Sequence, residues 1–101
     1  MQRIKMGRLA DLRPGQAMEK RVLARRVAVF NVAGKLYGIE ADCKHMKATL
    51  AKGDVVDGVL TCSWHGWKYD LESGECLTRP GMKLKRYEII TEGDDIVLLL
   101  P

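Results

Sequence analysis

The feature that most constrains this chain is a pair of short Cys–His motifs near its centre. Cys43 and His45 have one residue between them, whereas Cys62 and His65 have two. The 16 residues from Met46 to Thr61 separate the two motifs. Thiolate and imidazole groups are both strong metal ligands, and each motif supplies one of each. The sequence therefore predicts that two loops meet at a metal centre, around which the rest of the chain is scaffold.

Length and composition predict one domain. At 101 residues a chain buries roughly 65% of its unfolded surface, which supports a modest core. No apolar run reaches the roughly 18 residues of a membrane helix, and the N-terminus lacks the apolar core of a secretion signal. We therefore expect a single domain over residues 1–101, monomeric and cytoplasmic, with no membrane association.

Cysteine number also bears on the compartment. The chain has three cysteines, and an odd count argues against a disulfide framework. A reducing compartment suits thiolate ligands. Cys76 lies outside both motifs, and a cysteine of this kind most often behaves as a small buried hydrophobic residue. No functional role is predicted for it.

Charge is distributed unevenly along the chain. The net charge is +4, but residues 42–79 carry five Lys or Arg against six Asp or Glu. No aromatic residues lie between the basic ones as a stacking platform requires, so nucleic-acid binding is not predicted. Arg21, Arg25 and Arg26 are interpreted as a solvated strand face, with docking to an acidic partner as the alternative.

The segments outside the motifs have the pattern of β-strands joined by short turns. Ala33-Gly34-Lys35 and Asp57-Gly58 lie between β-branched runs and predict hairpin turns. The second hairpin delivers Cys62 at the end of its return strand. The predicted strands cover residues 4–9, 18–23, 26–32, 36–39, 54–56, 59–61, 67–71, 84–91 and 95–100. The chain is therefore predicted to be all-β.

The order C-x-H, 16 residues, C-x2-H, followed by Gly-Trp, resembles the Rieske family of [2Fe–2S] proteins. The resemblance implies one [2Fe–2S] cluster, with Cys43 and Cys62 as ligands of one iron and His45 and His65 as ligands of the other. Neutral imidazoles make this cluster easier to reduce than one with four thiolates. A structural zinc site is the alternative for the same four side chains.

The resemblance also implies the architecture. The Rieske fold has an antiparallel β-sandwich base and a small inserted subdomain that binds the cluster. In this chain the subdomain would cover about residues 42–79. The base would then consist of residues 1–41 and 80–101.

Residues beside the four ligands are predicted to tune or shield the cluster. Lys44 and Lys47 would offset the charge of the reduced cluster, and Pro80 matches the family's shielding loop. Gly66 has no Cβ and lets backbone N–H groups approach the sulfides. Trp64 and Trp67 are interpreted as packing around the cluster.

Two positions predict a potential in the lower part of the Rieske range. Respiratory members place a Ser two residues after the second His and a Tyr four residues after it, and both donate hydrogen bonds that favour reduction. Here these positions are Trp67 and Tyr69, so only the tyrosine is present. The extra cysteine pair of the respiratory proteins is also missing. This pattern is closer to the ferredoxins that serve bacterial oxygenases.

The histidine count decides among the functions of the family. Rieske oxygenases need a second iron site with two His and one carboxylate, but this chain has only two His, and the cluster would use both. We therefore expect a soluble electron carrier that binds its partners transiently, a reductase on one side and a ring-hydroxylating dioxygenase or other acceptor on the other. The alternatives are the small Rieske-like subunit of an assimilatory nitrite reductase and a structural zinc-binding module.

Overall fold

The computed structural model describes residues 2–43, 49–63 and 66–100, and within these ranges it contains no α-helix. Two 3-10 turns occur, at Leu9–Asp11 and Leu50–Lys52. The strands are β1 (Gln2–Arg8), β2 (Ala17–Val22), β3 (Arg25–Val32), β4 (Lys35–Glu40), β5 (Asp54–Val56), β6 (Val59–Thr61), β7 (Lys68–Asp70), β8 (Arg86–Glu92) and β9 (Asp95–Leu100). The all-β prediction is confirmed.

The strands form two sheets. Six strands form the larger sheet in the order β1-β9-β8-β4-β3-β2, and β5-β6-β7 form the smaller one. Every adjacent pair is antiparallel. The predicted hairpin turns are confirmed, since Ala33, Gly34, Asp57 and Gly58 all have positive φ angles, as two-residue turns of type I′ require.

Two local predictions needed correction. The strand predicted over residues 18–23 ends at Val22, and the β2–β3 connection is a tight turn at Leu23, which has a φ of 58° although a leucine side chain is strained there. No Gly, Asn or Asp marks this turn, so the sequence did not indicate a hairpin. The strand predicted from residue 84 begins at Arg86 instead. Leu84 is fully buried, and its N–H donates to the carbonyl of Gly74 at 2.7 Å, outside the ladder.

The six-stranded sheet curls until its edge strands meet. In a flat sheet, strands β1 and β2 would be roughly 24 Å apart, because adjacent strands are about 4.8 Å apart. Instead, a Cβ added to Gly7 of β1 would lie only 3.3 Å from the Cε atom of Met18 of β2. The base is therefore one sheet folded over on itself, with an apolar core inside.

Strand β3 is buried on both faces and separates two cores. Val27 and Val29 point into the core inside the curled sheet, the base core, with residues of β1, β2, β8 and β9. Ala28 and Phe30 point the other way, as the two-residue period of a strand requires. On that side lies the cysteine core, which contains Cys43, Leu50, Leu60, Cys62, Tyr69, Leu71 and Cys76.

The small sheet covers the cysteine core, with Leu60 of β6 and Tyr69 of β7 fully buried in it. The chain segments before β5 and after β6 carry the two Cys–His motifs. Among the described residues no helix is long and apolar enough to cross a bilayer. The proposed subdomain limits at 42 and 79 stay a prediction.

Candidate metal centre

The first motif begins where β4 ends. Cys43 comes three residues after Glu40, the last residue of β4, and it is only 4% exposed. Its sulfur lies 3.1 Å from the hydroxyl oxygen of Tyr69, which comes from β7 of the small sheet. Tyr69 itself is fully buried. The contact therefore joins the first motif to the strand that follows the second.

Backbone contacts close the base of the first loop. Asp42 and Thr49 form an isolated antiparallel bridge, and the N–H of Leu50 donates to the carbonyl of Ala41 at 2.7 Å. The Thr49 hydroxyl accepts from the N–H of Ala51 at 3.2 Å and so caps the following 3-10 turn. Asp42 and Thr49, which precede and follow positions 43–48 in the sequence, are thus adjacent in space.

The second motif lies between β6 and β7. Cys62 follows β6 directly, is 1% exposed, and donates its N–H to the carbonyl of Trp67 at 2.8 Å. This hydrogen bond closes the loop just beyond the last paired residues, Thr61 and Lys68. Cys43 and Cys62 belong to the same buried cluster, so the fold brings the two predicted sulfur ligands into one core.

Several predicted site residues lie outside the described residues. These are Lys44, His45, Lys47, Trp64 and His65. Gly66, with a φ of 72°, and the half-buried Trp67 are described at the end of the second loop. No group of three or more His, Cys, Asp or Glu side chains suited to a metal occurs in the described ranges, which contain neither histidine.

A third loop, residues 77–82, flanks the second. The N–H of Leu77 donates to the carbonyl of Lys68 at 2.8 Å, and the N–H of Lys68 donates to the Thr78 hydroxyl at 3.0 Å. The Arg79 guanidinium lies 5.5 Å from the centre of the Trp67 ring. Pro80 is exposed next to it. The third loop is thus attached to Lys68 of β7 and contacts Trp67, which lies just after the second motif.

Cys76 is packed beside the centre. It is as buried as Cys43, pairs with Tyr69 in an isolated bridge, and accepts the N–H of Arg79 at 3.3 Å. No disulfide links it to the other two cysteines. This placement agrees with the interpretation of Cys76 as a buried hydrophobic residue.

A charged network that the sequence did not indicate lies beside the first motif. Arg26, interpreted as solvated, contacts both Glu19 and Asp42. The hydrogen bond from Arg26 lowers the pKa of Glu19, and the same bond raises the pKa of Arg26. Their spacing along the sequence gave no signal, since the pairing depends on how β2, β3 and the loop meet.

The donor set fits a metal centre. Two cysteines are buried in one core, and a tyrosine hydroxyl lies within hydrogen-bond distance of one of them. A buried thiolate is costly unless a cation or a hydrogen-bond donor compensates its charge, and here a donor is in place. Each of these cysteines precedes its predicted histidine by only two or three positions in the sequence.

Comparison with known proteins identifies the class. The model of the Rieske [2Fe-2S] domain matches residues 2–88, and the chain belongs to that family. The family is one of iron–sulfur proteins, so an iron–sulfur cluster is supported as the cofactor. The chain is similar to ferredoxin subunits, which are electron carriers, and it is an electron-transfer protein rather than a catalytic enzyme.

Two relatives illustrate this similarity. The biphenyl dioxygenase ferredoxin subunit of Pseudomonas sp. (strain KKS102) is 33% identical over 90 residues, which is 87% of this chain and 83% of that subunit. The 3-phenylpropionate/cinnamic acid dioxygenase ferredoxin subunit of Shigella flexneri serotype 5b (strain 8401) is 32% identical over 103 residues. The match covers 100% of this chain and 96% of that subunit.

Solved structures give the same fold. A ferredoxin in complex with the oxygenase of carbazole 1,9a-dioxygenase superposes with a TM-score of 0.85 at 26% identity, over 95% of this chain and 100% of that one. A putative small subunit of an NADPH nitrite reductase superposes with a TM-score of 0.86 at 19% identity, over 99% of this chain and 100% of that one. The latter likeness shows the fold alone.

Proposed function

We propose that the chain binds one [2Fe–2S] cluster through Cys43, Cys62, His45 and His65. The observation that carries the proposal is that both motif cysteines are buried in one core, with the Tyr69 hydroxyl 3.1 Å from the Cys43 sulfur. The spacing of the two histidines after these cysteines supports them as the remaining ligands. A bound cluster of this type accepts and releases one electron.

The protein's own groups would tune that exchange. A coordinated thiolate has no proton, so the Tyr69 hydroxyl would donate its hydrogen to the Cys43 sulfur and stabilise negative charge there. Burial of both sulfur atoms limits access of water. Lys44, Lys47, Trp64 and Pro80 are proposed to surround the outer side of the cluster.

We further propose the route of the electrons. The chain would take single electrons from a reductase and deliver them to a ring-hydroxylating dioxygenase, binding each partner transiently and as a monomer in the cytoplasm. Two relatives above 30% identity that are named as ferredoxin subunits of such dioxygenases support this route. Residues 42–79 would be the subdomain that meets both partners.

The second candidate is the small subunit of a nitrite reductase. Its support is the fold likeness at 19% identity, whereas ferredoxin subunits share 32–33% of their residues with this chain over most of their length. A structural zinc module remains a third interpretation of the ligand set. The three candidate functions differ in the metal that the purified protein should contain and in the proteins that should co-purify with it.

Absorption and EPR spectra of the purified full chain test the cluster. We expect a coloured protein with about two irons and two sulfides per chain, and a signal on reduction. Cys43→Ala should abolish the colour, while Cys76→Ala, equally buried in the same core, should retain it. A colourless protein with one zinc per chain would refute the cluster.

The route needs a separate measurement. Purified reductase and oxygenase components of a ring-hydroxylating dioxygenase should turn over only when the loaded chain is added. Stable co-purification with a large haem-containing chain would instead favour the nitrite reductase subunit.

A further inference from the structure

Four side chains join the two ends of the first loop to the base. Arg26 Nη1 donates to Asp42 Oδ1 at 2.7 Å, and Arg26 Nε donates to Glu19 Oε2 at 3.1 Å. The Thr49 hydroxyl donates to the other Glu19 oxygen, Oε1, at 2.8 Å. The series Asp42–Arg26–Glu19–Thr49 is called the loop clamp below.

The clamp closes on residues that already face each other. Asp42 and Thr49 form a backbone bridge, and the N–H of Ala41 donates to the carbonyl of Arg26 at 3.0 Å. Asp42 and Thr49, the residues on either side of positions 43–48, are therefore both held by the clamp. Cys43 is the first residue inside it, so the direction of its side chain depends on where Asp42 is held.

Strand register places the clamp at the rim of the cysteine core. Glu19 of β2 is paired with Ala28 of β3, and Arg26 is two residues before Ala28 on the same face. Glu19 and Arg26 are therefore diagonal neighbours. Ala28 is fully buried in the cysteine core, and the two charged groups lie beyond it, toward the loop.

The clamp differs from an isolated surface ion pair. A single exposed pair contributes little because both side chains must be ordered for one contact. Here one guanidinium binds two carboxylates, and its side chain is 38% exposed. The Thr49 hydroxyl is oriented as well, since it donates to Glu19 and accepts from Ala51. Arg26, Glu19 and the Thr49 hydroxyl therefore each take part in two contacts, so that one contact orients a group for the next.

We propose that Arg26 is a positioning residue for Cys43, and that the clamp holds the Cys43 sulfur against the Tyr69 hydroxyl. The clamp would thereby slow exposure of the Cys43 sulfur and release of the metal centre. The inference rests on the proposed role of Cys43 as a ligand. It assigns no contact between the clamp and the cluster itself.

Thr49 allows a test without a change of charge. Thr49→Val replaces the hydroxyl by a methyl group of similar size, whereas Thr49→Ser keeps the hydroxyl. In the cluster-free full chain, iodoacetamide should modify Cys43 about tenfold faster in Thr49→Val than in the wild type, because exposing Cys43 then breaks one hydrogen bond fewer. Cys76 should react within about twofold of its wild-type rate in both variants. In Thr49→Ser, Cys43 should react at the wild-type rate, because the hydroxyl is kept.

Two neighbouring arginines give a matched pair. Arg26→Gln removes the contacts to both carboxylates, while Arg25→Gln removes a charge from the same strand at a residue whose guanidinium lies 6.0 Å from the Tyr87 ring. In the loaded protein, a chelator should bleach Arg26→Gln about tenfold faster than Arg25→Gln, with Arg26→Lys between them. Where Arg26→Gln does not fold, the Thr49 pair decides.

Equal Cys43 modification in Thr49→Val and the wild type would overturn the proposal. So would equal bleaching of Arg26→Gln and Arg25→Gln. A parallel rise at Cys43 and Cys76 would also overturn it, because it would indicate general loosening of the fold rather than local exposure of Cys43. Failure of the cluster assignment would appear separately, as a wild-type protein without iron, and would leave the thiol measurement interpretable.

Discussion

The hydroxyl oxygen of Tyr69 lies 3.1 Å from the sulfur of Cys43, although the two residues are 26 positions apart in the sequence. The contact crosses the cysteine core from the first loop to the small sheet. On the proposed assignment of Cys43 as a metal ligand, its thiolate can only accept, so the tyrosine would be the donor in the loaded protein. Added negative charge on the sulfur strengthens such a bond, so the bond favours the reduced state.

Tyr69→Phe should therefore lower the midpoint potential of the loaded protein. The loss is expected to be about 40–60 mV, which corresponds to about 1 kcal/mol of differential hydrogen bonding for a one-electron couple. A redox titration followed by EPR gives the value. Tyr37→Phe, at a half-buried tyrosine beside the same core, is the control and should not shift the potential. An unchanged potential in Tyr69→Phe would contradict the assignment of the donor.

Gly53→Ala should destabilise the fold by steric conflict alone. Gly53 has an ordinary φ of −78°, but an added Cβ would lie 2.4 Å from the Thr61 carbonyl oxygen. We expect a loss of about 1–3 kcal/mol in the free energy of unfolding, measured with urea. Gly7→Ala is the control, since its Cβ meets only the flexible end of Met18. Equal stability of the two variants would contradict the predicted conflict.

Asn31 should be important for the stability of the base. It is the buried polar residue of β3, where its Nδ2 donates to the carbonyl of Leu12 and its Oδ1 accepts from the N–H of Gly34, both at 2.8 Å. Asn31→Ala leaves both backbone groups without this partner and should cost about 1–3 kcal/mol. Ser73→Ala, which removes one exposed hydrogen bond, should cost less. If Asn31→Ala and Ser73→Ala lost equal free energy of unfolding in urea, the burial of the Asn31 hydrogen bonds would not contribute to stability.

Stability should depend on pH through Glu19. The hydrogen bond from Arg26 lowers the pKa of Glu19 from its usual value of 4.5, against an opposing effect of burial, with Thr49 and Lys52 adding to the lowering. Stability from this lowered pKa is fully present above about pH 4.5 and is lost as pH falls through the folded pKa. Asp42 shares Arg26 with Glu19.

Glu19→Gln isolates this effect. The wild-type chain without cluster should be more stable than Glu19→Gln between about pH 6 and pH 8, and the difference should shrink below about pH 4.5. Urea unfolding at a series of pH values measures it. A difference that stays constant down to about pH 3 would show that the carboxylate is not responsible.

Local signals in the sequence predicted much of this fold. Ala33-Gly34 and Asp57-Gly58 marked their hairpins because a two-residue turn needs residues that tolerate positive φ. Leu23 gave no such signal, since a leucine is placed there only by the pairing of the strands around it. The two-sided burial of β3 was also not predictable, because it depends on the small sheet packing over Ala28 and Phe30.

The candidate site was predictable to the extent that it is local. Cys43 and Cys62 were selected by spacing, and Tyr69 by its position after the second motif. Glu19, Arg26 and Thr49 were not selected, because Glu19 and Thr49 are 30 residues apart and no periodic pattern connects them. Such contacts depend on where three separate segments meet in space.

The separation of the two cores has a consequence for how the protein matures. All three cysteines lie in one core, and the core inside the curled sheet contains none. We expect the curled sheet to fold before iron and sulfide arrive, so that the cluster is inserted into a base that is already folded. Oxidative destruction of the cluster would then leave a folded base that can accept a new cluster, and the chain would not have to be synthesised again.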